Sequence, residues 1–316
     1  MFKEILGLVS GGGDLSMDQM ATAIGSIMRG ECRENEIALL LTALKAKGET
    51  VPEIAGAAKA MREAMTQIKT QRSPLVDTCG TGGDGSQTFN ISTAAAIVAS
   101  AAGATVAKHG NRSISSKSGS ADVLRELGVN VDASVPQVER CLDEVGICFC
   151  FAPLFHHSMK HVAKVRRELG VPTIFNMLGP LCNPAGAEFQ LVGVGRPELR
   201  QKLAAALQLL ETKRAIVVHG TDVLDEVTIE GDTAVSEIRN GELHEYTWNP
   251  KQFGLNVDSK DTFKVSGPEE SAAIVRDILA GNNCGPAHDI VVINACLLYT
   301  SPSPRDATLS RMPSSA

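Results

Sequence analysis

Apolar residues recur every three or four positions in three successive stretches near the N-terminus, the spacing of helices with one buried face. "SMDQMATAIGSIMRGE" opens on Ser16 as a cap, "RENEIALLLTALKAKGE" closes on Lys-Gly, and "VPEIAGAAKAMREAMTQI" carries a proline near its start. Residues 1–70 are therefore predicted to form a helical bundle. Beyond them the pattern changes to short apolar runs that alternate with helical ones. "LVDTCG", "ATVAKHG", "ICFCFAP", "FQLVGVG" and "RAIVVHG" read as strands. Between and after them, "FNISTAAAIVASAAG", "SADVLRELG", "SVPQVERCLDEVG", "SMKHVAKVRRELG", "RPELRQKLAAALQLLE" and "EESAAIVRDILAG" read as helices. This alternation predicts an α/β fold: a small N-terminal helical domain followed by a large α/β domain over 71–295, its central sheet mostly parallel and flanked by helices. "VTIEGDTAVSEIRNGELHEYTWNP" predicts a small antiparallel insertion, and "HDIVVINA" reads as a further strand.

The 316 residues suit two domains, and an apolar fraction of 43% with 21% charged residues is ordinary for a chain that folds. The formal charge of −6 argues against a general nucleic-acid surface but leaves room for a local anion pocket. No run is long and apolar enough to span a membrane and no leader is recognisable at the N-terminus, so a cytoplasmic location is expected. The eight cysteines form no CxxC pair; runs such as "GICFCFAP" suggest buried thiols rather than disulfides.

Open α/β sheets bind ligands beyond the carboxyl ends of their strands, and four polar segments fall at such ends. The first is "DTCGTGGDGSQTFNIST", whose glycines permit close backbone approach to an anion ahead of a helix N-terminus. It is neither a P-loop nor G-x-G-x-x-G, and alone it could be a structural turn. The second, "KHGNRSISSKSGS", combines cations with hydroxyl donors, as a phosphate requires, although a solvated basic loop has the same composition. The third, "HGTDVLDE", ends in Asp225 and Glu226; adjacent carboxylates suit Mg²⁺ shared with substrate phosphates, while an isolated pair is usually a solvated turn. The fourth, "FAPLFHHSMKHVAKVRRELG", carries His156, His157 and His161, with Arg166 and Arg167 a turn later. His157 and His161 have zinc spacing but no third ligand nearby, whereas His156 could line a pocket and either arginine could receive a carboxylate.

Together "DTCGTGGDGSQTFNIST", "KHGNRSISSKSGSADVLRELG", "VRRELGVPTIFNMLGPLCNP" and "HGTDVLDEVT" closely resemble the anthranilate phosphoribosyltransferases of tryptophan biosynthesis, and the likeness runs to about Ala295. The resemblance implies a helical domain that dimerises, part of 165–185 joining it, and substrates in the cleft beside the α/β domain. It implies transfer of the phosphoribosyl group of phosphoribosyl pyrophosphate (PRPP) to anthranilate, with Mg²⁺ as cofactor, as a homodimer, without nucleic acid or membrane partners. Carried over by position, Gly80, Gly83, Asp84, Thr88, Asn90, Ser92, Thr93, Lys108, His109, Gly110, Asn111, Arg112, Ser113, Ile114, Ser115, Ser116 and Ser120 correspond to the PRPP site. Ser92, Asp225 and Glu226 correspond to the metal ligands, and Asp225, Glu226 and Lys108 to the groups that assist departure of pyrophosphate. Gly80, Asn111, His156 and Arg166 correspond to anthranilate contacts, with His157 standing where the family commonly has proline. The nearest enzyme alternative is a pyrimidine-nucleoside phosphorylase; a nonenzymatic nucleic-acid-binding relative of the same fold is the alternative of another class.

Residues 296–316, "CLLYTSPSPRDATLSRMPSSA", change character abruptly. They read either as a polar tail or, because their back-translation resembles a sequencing adaptor, as read-through that is not native. On the second reading the helices that cover the sheet in the family would be missing.

Overall fold

A computed structural model describes residues 2–112 and 117–302. The chain opens with α1 (Phe2–Ser10), α2 (Met17–Met28), α3 (Glu34–Lys47) and α4 (Val51–Ala64). Ser16 caps α2 as its sequence predicts: its hydroxyl accepts from Gln19 N–H, and the Gln19 side chain accepts from Ser16 N–H at 2.9 Å. Glu53 staples the bundle from inside. Fully buried, it accepts from Leu15 N, Thr50 N and Lys47 Nζ, so the cost of burying its charge is offset by three donors.

The α/β part follows in the order β1 (Leu75–Gly80), α5 (Ile91–Ala101), β2 (Thr105–Gly110), α6 (Ser120–Glu126), α7 (Val135–Val145) and β3 (Ile147–Phe151). A crossing connection carries α8 (Ala152–Phe155), α9 (Lys160–Leu169) and α10 (Phe175–Leu178) to β4 (Phe189–Gly193), α11 (Pro197–Leu209) and β5 (Arg214–Gly220). Last come β6 (Thr233–Arg239), β7 (Glu242–Trp248), α12 (Pro268–Leu279) and α13 (Pro286–Thr300). The strands form one sheet in the order β3-β2-β1-β4-β5-β6-β7. β1 to β5 are mutually parallel, while β6 and β7 are added antiparallel. The chain runs from β1 outward through β2 to β3 and then crosses back to β4 on the other side of β1, so the crevice between the carboxyl ends of β1 and β4 is the topological switch point where such sheets bind ligands.

Two expectations need correction. The antiparallel segment is not a separate insertion: β6 pairs with β5 along seven residues and prolongs the main sheet, and "VTIE" forms no strand. "HDIVVINA" lies in helix α13, not in a strand. Its β-branched run suggested a strand, but Pro286 and Asp289 in the first turn start a helix, and the run packs against α5 and the sheet. A short apolar run buried on every side carries no period that separates the two states. α13 continues past Ala295, with Leu297 and Leu298 buried; residues 303–316 lie outside the described residues.

One apolar cluster unites α1–α4, Val162 and Val165 of α9, Phe175 of α10, α11 and the near face of the sheet. A second lies between the opposite face and α5, α12 and α13. Cys79, Cys148, Cys150 and Cys182 are buried thiols, whereas Cys141, Cys284 and Cys296 are exposed. Among the described residues no helix is long and apolar enough to cross a membrane.

Candidate active site

The glycine loop leaves β1 at the switch point. Gly82, Gly83 and Gly85 take φ of 65°, 78° and 70°, the left-handed region that a side chain disfavours, which explains the glycine density. Thr81 N–H donates to Gly193 O at 2.9 Å and Gly82 N–H to Asp225 Oδ2 at 3.1 Å, tying the turn to β4 and to the loop after β5. The far half of the loop is fixed differently: Phe89 N–H donates to Phe263 O, Val265 N–H to Gln87 O, and Thr88 forms an isolated antiparallel bridge with Lys264.

Glu226 reaches the first turn of α5, where its Oε1 accepts from Ser92 N–H at 3.1 Å. Lys108, buried at the end of β2, donates to Thr78 O at 2.6 Å and to Ser92 Oγ at 3.3 Å. Ser92, Lys108, Asp225, Glu226, Gly80 and Asp84 are thus brought to one place, although they span nearly 150 residues of chain. A Cβ on Gly80 would lie 2.5 Å from Asp225 Oδ2, so a side chain there would displace that carboxylate. Burial and the nearby Asp84 and Glu226 carboxylates raise the Asp225 carboxyl well above its ordinary range. Burial likewise pushes Glu226 up to about 7, against the pull of Lys108 and Ser92.

The donor set fits a hard divalent cation. Asp84 Oδ2 is buried without a hydrogen-bond partner, and the Thr93 hydroxyl beside Ser92 is in the same state. Among the described residues no three acidic, histidine or cysteine side chains are already gathered as a complete cage. Mg²⁺ asks for less, because it keeps waters and takes one or two carboxylates together with substrate phosphates.

On the other side, His109 is held by three contacts. Its N–H donates to buried Asp77 at 2.9 Å, its Nδ1 lies 3.0 Å from Gly179 O, and its Nε2 lies 3.3 Å from His156 Nε2. A carbonyl only accepts, so neutral His109 carries its proton on Nδ1 and turns an unprotonated Nε2 toward His156. Burial lowers His109 to about 4 and His156 to about 3, making both neutral near pH 7. Gly110 and Ser120 pack together, and Ser120 Oγ donates to Asn111 O at 3.2 Å. Arg112 stands over the Phe151 ring at 5.4 Å. Arg166 is on α9, over Phe175 at 5.6 Å, and it donates to Asn176 Oδ1 at 3.4 Å; burial lowers its pKa. Ser113, Ile114, Ser115 and Ser116 lie outside the described residues.

Reading the sequence missed several groups that shape this site. A Cβ on Gly193 would fall 1.5 Å from the Asp225 carbonyl oxygen, and one on Gly195 would fall 2.8 Å from Asp84 N. The alternating glycines of "VGVG" were the available signal. Asn294, fully buried in α13, accepts from Val227 N at 3.1 Å and donates to Val227 O at 3.0 Å, clamping the residue after Glu226. A lone asparagine in an apolar run was its trace. Ser271 of α12, buried with its hydroxyl accepting from Asn90 N–H at 3.0 Å, left no trace at all.

A mostly parallel sheet whose switch point carries a glycine turn, a lysine and a carboxylate pair, beside a helical bundle, is the arrangement of a two-domain glycosyl transferase. Family models agree: the glycosyl transferase helical bundle domain matches residues 3–65 and the glycosyl transferase a/b domain residues 72–307. The chain is 50% identical to the anthranilate phosphoribosyltransferase of Rhodopirellula baltica over 281 residues, 89% of this chain and 82% of that protein. It is 48% identical to that of Clostridium kluyveri, covering 97% and 91%. The crystal structure of the Thermus thermophilus enzyme superposes with a TM-score of 0.88 at 42% identity, covering 94% of this chain and 88% of that one. The Saccharomyces cerevisiae enzyme in complex with PRPP and Mg superposes at 0.84 with 30% identity, covering 95% and 88%. The chain belongs to the anthranilate phosphoribosyltransferase family.

Proposed function

We propose that this chain carries out its anthranilate phosphoribosyltransferase activity, a step of tryptophan biosynthesis, in the crevice between β1 and β4, with Mg²⁺ held by Asp225, Glu226 and Ser92. The observation that carries this reading is the convergence of Lys108 and Glu226 on Ser92 in the first turn of α5, with Asp225 bonded to the glycine turn at Gly82.

The reaction exchanges one bond for another at the sugar carbon. The carbon–oxygen bond to pyrophosphate breaks, its electron pair leaving with pyrophosphate; the amine lone pair forms the carbon–nitrogen bond, and nitrogen then loses a proton to solvent. An aromatic amine is neutral at pH 7 and already nucleophilic, so the demanding part is the departing negative charge. Mg²⁺, when bound, supplies charge neutralisation on that leaving group. Lys108 adds a fixed positive charge in a buried place, where it acts most strongly. The glycine turn and the N-terminal end of α5 supply backbone donors for the phosphates. Arg166 holds the anthranilate carboxylate, with its guanidinium plane steadied by Phe175. His109 and His156 form an uncharged wall beside the ring and leave the carboxylate to Arg166.

Fluorescence of anthranilate, followed with and without PRPP, tests the activity directly. Consumption is expected only with PRPP. An Asp225→Ala/Glu226→Ala variant is expected to lose at least about a thousandfold in rate at limiting Mg²⁺, in line with the removal of charge stabilisation from a dry site. Full activity of that variant would remove the metal assignment.

A further inference from the structure

Asn90 occupies the N-cap position of α5, where an asparagine side chain ordinarily accepts from its own helix, yet it makes no such bond. It is turned instead toward two serines. Ser271 Oγ accepts from Asn90 N–H at 3.0 Å and donates to Asn90 Oδ1 at 3.0 Å. Ser118 Oγ donates to the same Oδ1 at 2.7 Å, and Asn90 Nδ2 donates back to Ser118 O at 3.3 Å. Both lone pairs of Oδ1 are thereby used within the protein. Ser271 is fully buried in the first turn of α12, remote in sequence from both loops.

Asn90 closes the glycine loop and Ser118 lies near the end of the serine-rich loop. The pair joins the two phosphate-facing segments edge to edge, and Ser271 holds the joint from behind. We propose that Ser271 is a positioning residue for phosphoribosyl binding: through Asn90 it fixes the end of the glycine loop and, through Ser118, the closing edge of the serine-rich loop. The inference rests on the reading that PRPP binds between these loops. Asn90, expected from family resemblance to contact PRPP, then serves the site through its backbone and as the pin between the loops.

The test compares Ser271→Ala with the parent enzyme in steady-state kinetics and in calorimetric titration with PRPP and Mg²⁺. Removing a buried hydroxyl that serves two bonds is expected to raise KM and Kd for PRPP about tenfold, with KM for anthranilate within about twofold. Ser271→Thr, which keeps the hydroxyl, should recover PRPP affinity to within about threefold of the parent. Ser118→Ala, which spares the α12 packing, should show the same split and carries the test if Ser271→Ala does not fold. Because both serines act through one oxygen, the double variant should bind PRPP no more than about twofold more weakly than Ser271→Ala. An unchanged KM for PRPP, a parallel rise in both KM values, or multiplicative losses in the double variant would overturn the proposal. Failure of the parent to bind PRPP would overturn the reading beneath it.

Discussion

The two walls of the crevice are built on different terms. On the acidic wall, main chain takes part in every contact that locates Asp225 and the glycine loop: Gly82 N–H on the Asp225 carboxylate, Thr81 N–H on Gly193 O, and the Asn294 side chain on both polar groups of Val227. On the basic wall, side chains locate side chains. Arg112 rests over Phe151, Arg166 over Phe175, and His109 against His156. Where main chain is itself the crowded neighbour, as the Asp225 carbonyl is for Gly193, there is no rotamer to adjust, so one added methyl group displaces the Asp225 backbone. Where side chains meet, a substitution should be felt in proportion to the contact it removes.

The sharpest way to break this contrast is Gly193→Ala. Its Cβ would sit 1.5 Å from the Asp225 carbonyl oxygen, so the loop that carries Asp225 must move by more than an ångström. A displacement of that size is expected to lower kcat/KM for PRPP at least about a hundredfold. Gly195→Ala, with 2.8 Å to Asp84 N, should cost less. A Gly193→Ala enzyme within tenfold of its parent would erase the distinction.

The next largest effect belongs to the basic wall and appears as a pH dependence of stability. His109 and His156 are held at about 4 and 3, below the ordinary histidine value of about 6.5, so the native protein binds fewer protons than the unfolded chain in between. Their contribution is complete above about pH 6.5 and is lost as pH falls toward 4, about 2 kcal/mol per histidine at pH 5. Urea unfolding at pH 5 and pH 8 should show a smaller difference for His156→Gln than for the parent chain. Equal differences in the two proteins would mean that the pair does not titrate as its burial dictates.

The smallest expected effect is Arg166→Lys. A lysine keeps the charge but loses the planar fork and the stacking over Phe175. KM for anthranilate should rise about tenfold, close to 1.4 kcal/mol, with KM for PRPP unmoved. Equal rises in both would show that Arg166 supports the walls jointly instead of holding one substrate.

The same contrast explains what could be read in the chain before its fold was known. Gly82, Gly83 and Gly85 announce themselves because left-handed φ leaves a local mark on residue choice. Asp225 and Glu226 stand out as adjacent acids after an apolar strand. The glycines at 193 and 195 are equally visible, but their reason is not, because the atoms they avoid belong to residues 225 and 84. Ser271 and Asn294 act at distances of 181 and 67 residues, and nothing near them in sequence distinguishes a brace from an ordinary polar residue. α13 was misread for a physical reason of another kind: burial all round removes the periodicity on which helix and strand are told apart.

The apolar cluster that runs from the four N-terminal helices through α9 and α10 to α11 and the sheet has a consequence for how the protein comes into being. Residues 3–65 match a family model of their own, yet their apolar cluster also takes in residues of the connection between β3 and β4, about a hundred residues further along. The bundle emerges first during synthesis and has to wait, incompletely covered, until that crossing segment arrives. In packing terms it is one half of a joint closed by the chain's own middle, so a cut or a lost apolar contact in that crossing segment is expected to loosen the bundle as well as the sheet.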